Sequence, residues 1–396
     1  MRTYDFDQVV DRIGTNSVKW EFFRKNFPDA PEDTVALWVA DMDFPCAQEI
    51  VEAIHKRADR LIFGYSDQGT DEFYDDVTAW YRRRFGWQID RESIFFSPGV
   101  VPAIAVLIRA LTEPGDGILI QRPVYYPFTQ KIEANGRRVV NSPLIYRNGT
   151  YQMDFDDLER KLADPGTKGM VLCSPHNPVG RVWSTGELKQ LVGICERHHK
   201  WIISDEIHGD LVRDGVNHHP LEMVCPGYRN EIITCTAPSK TFNIAGLHFS
   251  NIIINNPVYR EAWNLEANSK ISLGRPNPLS IAAVSAAYRH GESWLEQVNA
   301  YISANIEYVS DYVRENLPLA TVVPTEGTYL MWIDFRAYCA DAKLLEERML
   351  KVGHVALDEG YIFGEEGAGF ERINVACPRS ILEKCMEGIN RAIRSL

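Results

Sequence analysis

The chain has 396 residues, 45% hydrophobic and 24% charged, ordinary proportions for a globular protein with room for about two or three domains. A formal net charge of −12 argues against a general nucleic-acid-binding surface. No run of about eighteen apolar residues is present to cross a membrane, and the opening MRTYDFDQVVDRIG lacks the apolar core of a secretory signal. The eight cysteines are scattered and form no CxxC pair, so reduced, mostly buried thiols and a cytoplasmic enzyme are expected.

In chain order, residues 100–112 are apolar on most faces and read as a buried helix. GILIQ (117–121), GMVLCS (169–174), WIISDE (201–206), EIITCT (231–236) and SNIIIN (250–255) are short, rich in β-branched residues and bounded by polar or turn residues. They read as strands buried on both faces. Between them WSTGELKQLVGICERH (183–198) opens on Ser/Thr and continues with amphipathic spacing, a helix signature. Strands alternating with helices predict an α/β fold, a mostly parallel sheet flanked by helices. A long amphipathic stretch at 293–317 follows, then a strand in TYLMWIDF, a helix over 341–352, short strands near HVALD and RINVA, and a closing helix in 380–395. This change of pattern predicts a smaller α+β domain. The division expected is a large domain over 49–290, a small one over 291–396, and an N-terminal segment, 1–48, joining the latter.

Ligands of open α/β sheets gather at the carboxyl ends of the strands. There the sequence places SPHNPVG, DEIHGD and APSK, so that three strands deliver Asn177, Asp205 and Lys240 to one rim. DEIH has no P-loop to accompany it, and HExxH, GxSxG and a strand-following GxGxxG are absent. His198–His199 and His218–His219 lack metal-ligand spacing and are expected in solvated loops or at helix ends. Taken alone, Asp205 reads as a helix cap or ion-pair partner and Lys240 as a surface residue. Together, a desolvated lysine and an acid at neighbouring strand ends fit a Schiff-base lysine and the carboxylate that faces a protonated pyridine nitrogen.

SPHNPVG, SDEIHGDL and APSKTFNIAGL resemble the fold-type-I, pyridoxal 5'-phosphate (PLP)-dependent enzymes of the aminotransferase class I/II superfamily. LWVADMDFP (37–45), FGYS (63–66), GVVPAI (99–104), PVYYPF (123–128), EGTYLMWIDF (326–335) and DEGYIFG…FERIN (358–374) resemble its cystathionine β-lyase/C–S lyase branch, the cystalysin and MalY/PatB group. The resemblance implies that Lys240 bonds the cofactor, that Asp205 keeps its ring nitrogen protonated, that Asn177 donates to its phenolic oxygen and that Tyr125 stacks on its face. It further implies phosphate contacts from the N–H groups of Val100 and Val101, from the Ser239 hydroxyl, and from Tyr65 of a neighbouring subunit, hence a homodimer. Arg372 matches the arginine that grips the substrate carboxylate. His208 is expected near the Asp205 rim, and Tyr126, Trp38 and Tyr329 are candidates for the substrate pocket.

One position departs from the family pattern. Many members carry a basic residue eight positions after the lysine; here it is His248, either a weak phosphate contact or a residue facing elsewhere. The activity implied is a β-elimination from L-cysteine-type substrates that gives a thiol, pyruvate and ammonia, without a metal. The alternatives are an aminotransferase, which uses the same residues, and a protein that keeps the PLP fold for a regulatory binding role.

Overall fold

The structure, a computed structural model, describes residues 2–396. Seven strands form the central sheet in the order Ile94–Ser97, Ser250–Ile254, Ile232–Thr236, Trp201–Asp205, Thr167–Cys173, Gly117–Ile120, Arg138–Asn141. The last five run parallel, whereas Ser250–Ile254 is antiparallel to both of its neighbours. The mostly parallel sheet predicted from the apolar runs is therefore present, with SNIIIN reversed in direction.

The β-branched runs are buried on both faces because successive side chains point to opposite sides and each side is covered. Ile118, Ile120, Val171, Ile203 and Ile233 pack with the Val100–Leu111 helix, while Leu119, Met170, Leu172, Ile202 and Ile232 pack with the Thr185–Arg197 helix. The latter helix starts where the sequence signalled: Ser184 accepts from the Glu187 N–H and Glu187 reaches back to the Ser184 N–H, a capping box. Close packing shows in a glycine as well. A Cβ on Gly169 would stand 2.2 Å from the ring of its strand neighbour Trp201.

A second sheet is antiparallel, in the order Thr321–Val322, Leu330–Asp334, Phe370–Asn374, Asp358–Glu359. The helices Glu292–Asn316 and Arg379–Arg394 accompany it, close to the expected 293–317 and 380–395. HVALD departs from expectation by dividing between two sheets. Val355–Ala356 pairs in parallel with Val35–Ala36, and Asp358–Glu359 pairs with Phe370–Asn374. The helix expected over 341–352 is α-helical only over Ala342–Arg348, then widens to a π-turn at Met349–Gly353 and ends at His354 in the left-handed region, φ 55°. The eight cysteines are free, six buried and Cys46 and Cys225 half-buried. No helix among the described residues is long and apolar enough to cross a membrane.

Candidate active site

Register decides where the site falls. Cys173 lies opposite Asp205, and Asp205 opposite Cys235, so the chain leaves three adjacent parallel strands from one edge. Asn177, Asp205 and Lys240 all follow from that edge. They line a cavity of about 370 Å³ with Val100, Val101, Tyr125, His208, Ser239 and His248. Eight of the predicted site residues thus share one space with His248.

Lys240 stands on the Pro238–Thr241 turn that caps the Ile232–Thr236 strand. Its Nζ donates to the carbonyl of Ala40 at 2.5 Å, and the Tyr329 hydroxyl donates to the same oxygen at 3.0 Å. Burial disfavours the ammonium and, with Arg372 adding to it, pulls Lys240 down to about 8 against the attraction of Asp41 and Asp205. Asp205 receives one hydrogen bond, from the Ile207 N–H to Oδ1 at 3.2 Å. Burial lifts it to about 7; Glu206 adds to the rise, and the Ile207 N–H and Lys240 oppose it. This is a buried acid, 4% exposed, whose charge costs free energy that one backbone hydrogen bond and the nearby Lys240 only partly offset.

The cavity wall also presents groups suited to an anion. The Val100–Leu111 helix begins after Gly99 with no side-chain cap, Pro102 has no N–H, and the Ala103 N–H is taken by the Gly99 carbonyl. The N–H groups of Val100 and Val101 remain at the positive end of the helix dipole, with Ser239 and His248 also in the wall. His208 is buried, its Nδ1 has no partner, and burial, then Lys240 and Arg372, pull it down to about 3. It is a neutral imidazole facing Tyr329, ring centroids 5.9 Å apart.

Arg372 is 2% exposed and reaches the cavity through Asn177. Nη1 donates to Asn177 Oδ1 at 3.0 Å, and Nη2 to the Trp38 carbonyl at 2.8 Å and to Asp358, while Nε has no partner. Asp358, directly opposite Arg372 in the antiparallel ladder, is lifted to about 6 by burial against the pull of that arginine. Tyr126 stands outside the cavity lining, between the Tyr125 ring at 5.5 Å and the Phe363 ring at 5.8 Å. Trp38 contributes its carbonyl; its side chain turns away to pack on Phe27.

Tyr65 is not brought to this cavity. Its side chain is fully exposed on a segment that also exposes Leu61, Ile62 and Phe63. His218 corrects the expectation of a solvated loop: it is buried, with Nε2 2.9 Å from Glu206 Oε2. The reason is a long-range partner that local sequence does not display. Two further features escaped sequence reasoning, the Asp358 partner of Arg372 and the carbonyl ladder of residues 38–41. Trp38 O serves Arg372, Ala40 O serves Lys240, and Val39 O and Asp41 O both accept from Asn374 Nδ2. Among the described residues, no group of three or more His, Cys, Asp or Glu side chains is placed to hold a metal ion.

A doubly wound sheet with a half-buried lysine, a buried acid and a helix start with free N–H groups at one rim defines a cofactor-binding α/β enzyme class. Residues 32–389 match the sequence model of the aminotransferase class I and II family, and the chain belongs to that family. It is similar to cystathionine beta-lyase PatB of Bacillus subtilis (strain 168), 40% identical over 98% of this chain and 100% of the relative. Among solved structures it is similar to cystalysin from Treponema denticola, which contains a pyridoxal 5'-phosphate cofactor, with a TM-score of 0.96, 38% identity and full coverage of both chains. The PLP-bound C–S lyase of Staphylococcus hominis superposes with a TM-score of 0.93 at 36% identity, covering 99% of this chain and 98% of that one.

Proposed function

We propose that the protein is a PLP-dependent carbon–sulfur β-lyase of the cystathionine β-lyase type, which cleaves L-cysteine-type substrates to a thiol, pyruvate and ammonia. One observation carries the reading: Lys240, drawn down to about 8, shares a cavity with Asp205, which burial lifts to about 7. The residues present fit PLP. Val100, Val101 and Ser239 would hold its phosphate, Tyr125 would face its ring, Asp205 would pair with the protonated ring nitrogen, and Asn177 and His208 are further polar groups of the same wall. When bound, the cofactor supplies an electron-withdrawing ring that stabilises negative charge at the amino acid Cα.

The rest is done by the chain. Lys240 with a pKa near 8 is a neutral amine in an appreciable fraction at physiological pH, which suits it to take and return a proton. The Ala40 carbonyl holds its Nζ in place when that nitrogen bears hydrogens. Arg372 keeps an unpaired Nε beside the cavity-lining Asn177, and its planar fork would meet both oxygens of an α-carboxylate in exchange for one of its present Nη partners. Burial keeps His208 neutral, so it places no positive charge beside the protonated ring nitrogen that Asp205 would stabilise.

The similarity to PatB and to the Staphylococcus C–S lyase supports elimination over transamination, which would employ the same residues. Purified protein supplied with PLP and L-cystathionine, and with no keto acid, should form pyruvate steadily over many turnovers. Product that stops at one equivalent per site would reject the lyase. We further infer a cytoplasmic homodimer in which Tyr65 completes the neighbouring site, supported by the free cysteines and by the exposed Leu61–Tyr65 segment. Within the division we infer, 49–290 and 291–396, the joining of 1–48 to the latter is supported by the pairing of Val35–Ala36 with Val355–Ala356.

A further inference from the structure

Behind the cavity wall lies a buried imidazole that the chemistry above does not use. His176, within SPHNPVG, is 1% exposed. Its Nε2 is 2.9 Å from the carbonyl oxygen of Pro123, and its Nδ1 has no partner. A carbonyl only accepts, so Nε2 carries the hydrogen and Nδ1 is bare. Burial pulls the ring down to about 4 against the raising effect of the Pro123 and Cys173 carbonyls, so the ring is neutral through the physiological range, and the 2.9 Å contact to Pro123 places its hydrogen on Nε2.

This bond belongs to a short ladder. Tyr125 N–H donates to the Asn177 carbonyl at 3.0 Å, and Val124 N–H donates to the Phe363 carbonyl at 3.0 Å. The backbone of three consecutive residues, Pro123, Val124 and Tyr125, is therefore held at each position, the Tyr125 carbonyl also accepting from the Phe128 N–H at 3.1 Å, and only the bond at Pro123 comes from a side chain. The loop so held carries the Tyr125 ring into the cavity. The ring edge of His176 also rests on Trp183, centroids 5.5 Å apart, which fixes the direction in which Nε2 points. Proline has no N–H and cannot anchor itself from the other side.

We propose that His176 is a positioning residue: by donating from Nε2 to the Pro123 carbonyl it fixes where Tyr125 stands, and through Tyr125 it governs how tightly an aromatic cofactor is held. The proposal rests on the PLP reading given above. A residue that merely filled space would be replaced well by any side chain of similar volume. A residue that acts by donation is replaced by glutamine, whose amide nitrogen sits near the place of Nε2, and not by leucine.

The test is a double-mutant cycle read as the dissociation constant of PLP rather than as turnover. His176→Leu should weaken binding about tenfold and His176→Gln by no more than about threefold. In a Tyr125→Ala background, His176→Leu should add less than about twofold, since the ring it positions is gone. Multiplicative effects in the double variant, or a Gln variant as weak as Leu, would overturn the proposal. A wild-type protein that binds no PLP would instead overturn the cofactor reading, and this role with it. Nitrogen-15 spectra of labelled imidazoles supply a second measurement, independent of cofactor and of whether the Leu variant folds. A resonance pair showing Nε2 protonated and unchanged between about pH 6 and 8 is expected; an Nδ1-protonated ring, or one titrating in that interval, would contradict the geometry.

Discussion

Burial shifts Lys240 and Asp205 each toward the uncharged form, and a ligand that bonds the amine and brings a cation would suit both. The lysine makes the first prediction. Its value lies near 8 against an ordinary 10.5, so the free-amine fraction rises with pH up to about 8 and saturates above it. The rate at which apoprotein takes up PLP should therefore climb about tenfold per pH unit below 8 and level off beyond; a rise continuing past pH 10 would mean a solvated lysine. Arg372→Lys makes the second. A lysine keeps the charge opposite Asp358 but loses the planar fork, so KM should rise by about tenfold to a hundredfold with a smaller change in kcat. An unchanged KM would remove Arg372 from the substrate's carboxylate. Asn177, Asp205 and Lys240 were legible in the sequence because each follows an unmistakable buried strand. Asp358 was not, since its role depends on ladder register. Nor was Ala40, since a carbonyl is common to every residue type.

The strands and helices that carry these groups are where sequence patterns speak most clearly. Apolar runs located the Thr167–Cys173, Trp201–Asp205 and Ile232–Thr236 strands to within about two residues, and Ser184 with Glu187 marked a helix start. Division of HVALD between two sheets was not legible, because pairing with Val35–Ala36 is a contact across most of the chain. At this scale Gly169→Ala tests the packing beneath the site. The added methyl meets the Trp201 ring at 2.2 Å, so urea unfolding should show a loss of about 1–3 kcal/mol or more. Ser184→Ala should cost about 1 kcal/mol through the lost cap and leave turnover unchanged. A neutral Gly169→Ala would show that the two strands are less tightly apposed than described.

For the whole molecule, the fully exposed Tyr65 beside Leu61, Ile62 and Phe63 is the feature that a single chain leaves unexplained. Sequence resemblance assigned Tyr65 to a neighbour's site, and Tyr65 does not line the cavity of its own chain. If two chains complete one another, Lys240→Ala and Tyr65→Ala proteins, each impaired alone, should regain up to about a quarter of wild-type activity when unfolded and refolded together, because half the pairs are mixed and each mixed pair has one intact site. Recovery no greater than the sum of the two variants would place Tyr65 outside the site.

The central claim is that one amine, Lys240, bonds the cofactor opposite Asp205. Borohydride reduction of the PLP-loaded protein followed by peptide mass analysis tests it most directly. The account predicts a phosphopyridoxyl group on the peptide containing Lys240, and its loss in Lys240→Ala. Label on another lysine, or none in protein that had been given cofactor, would contradict it.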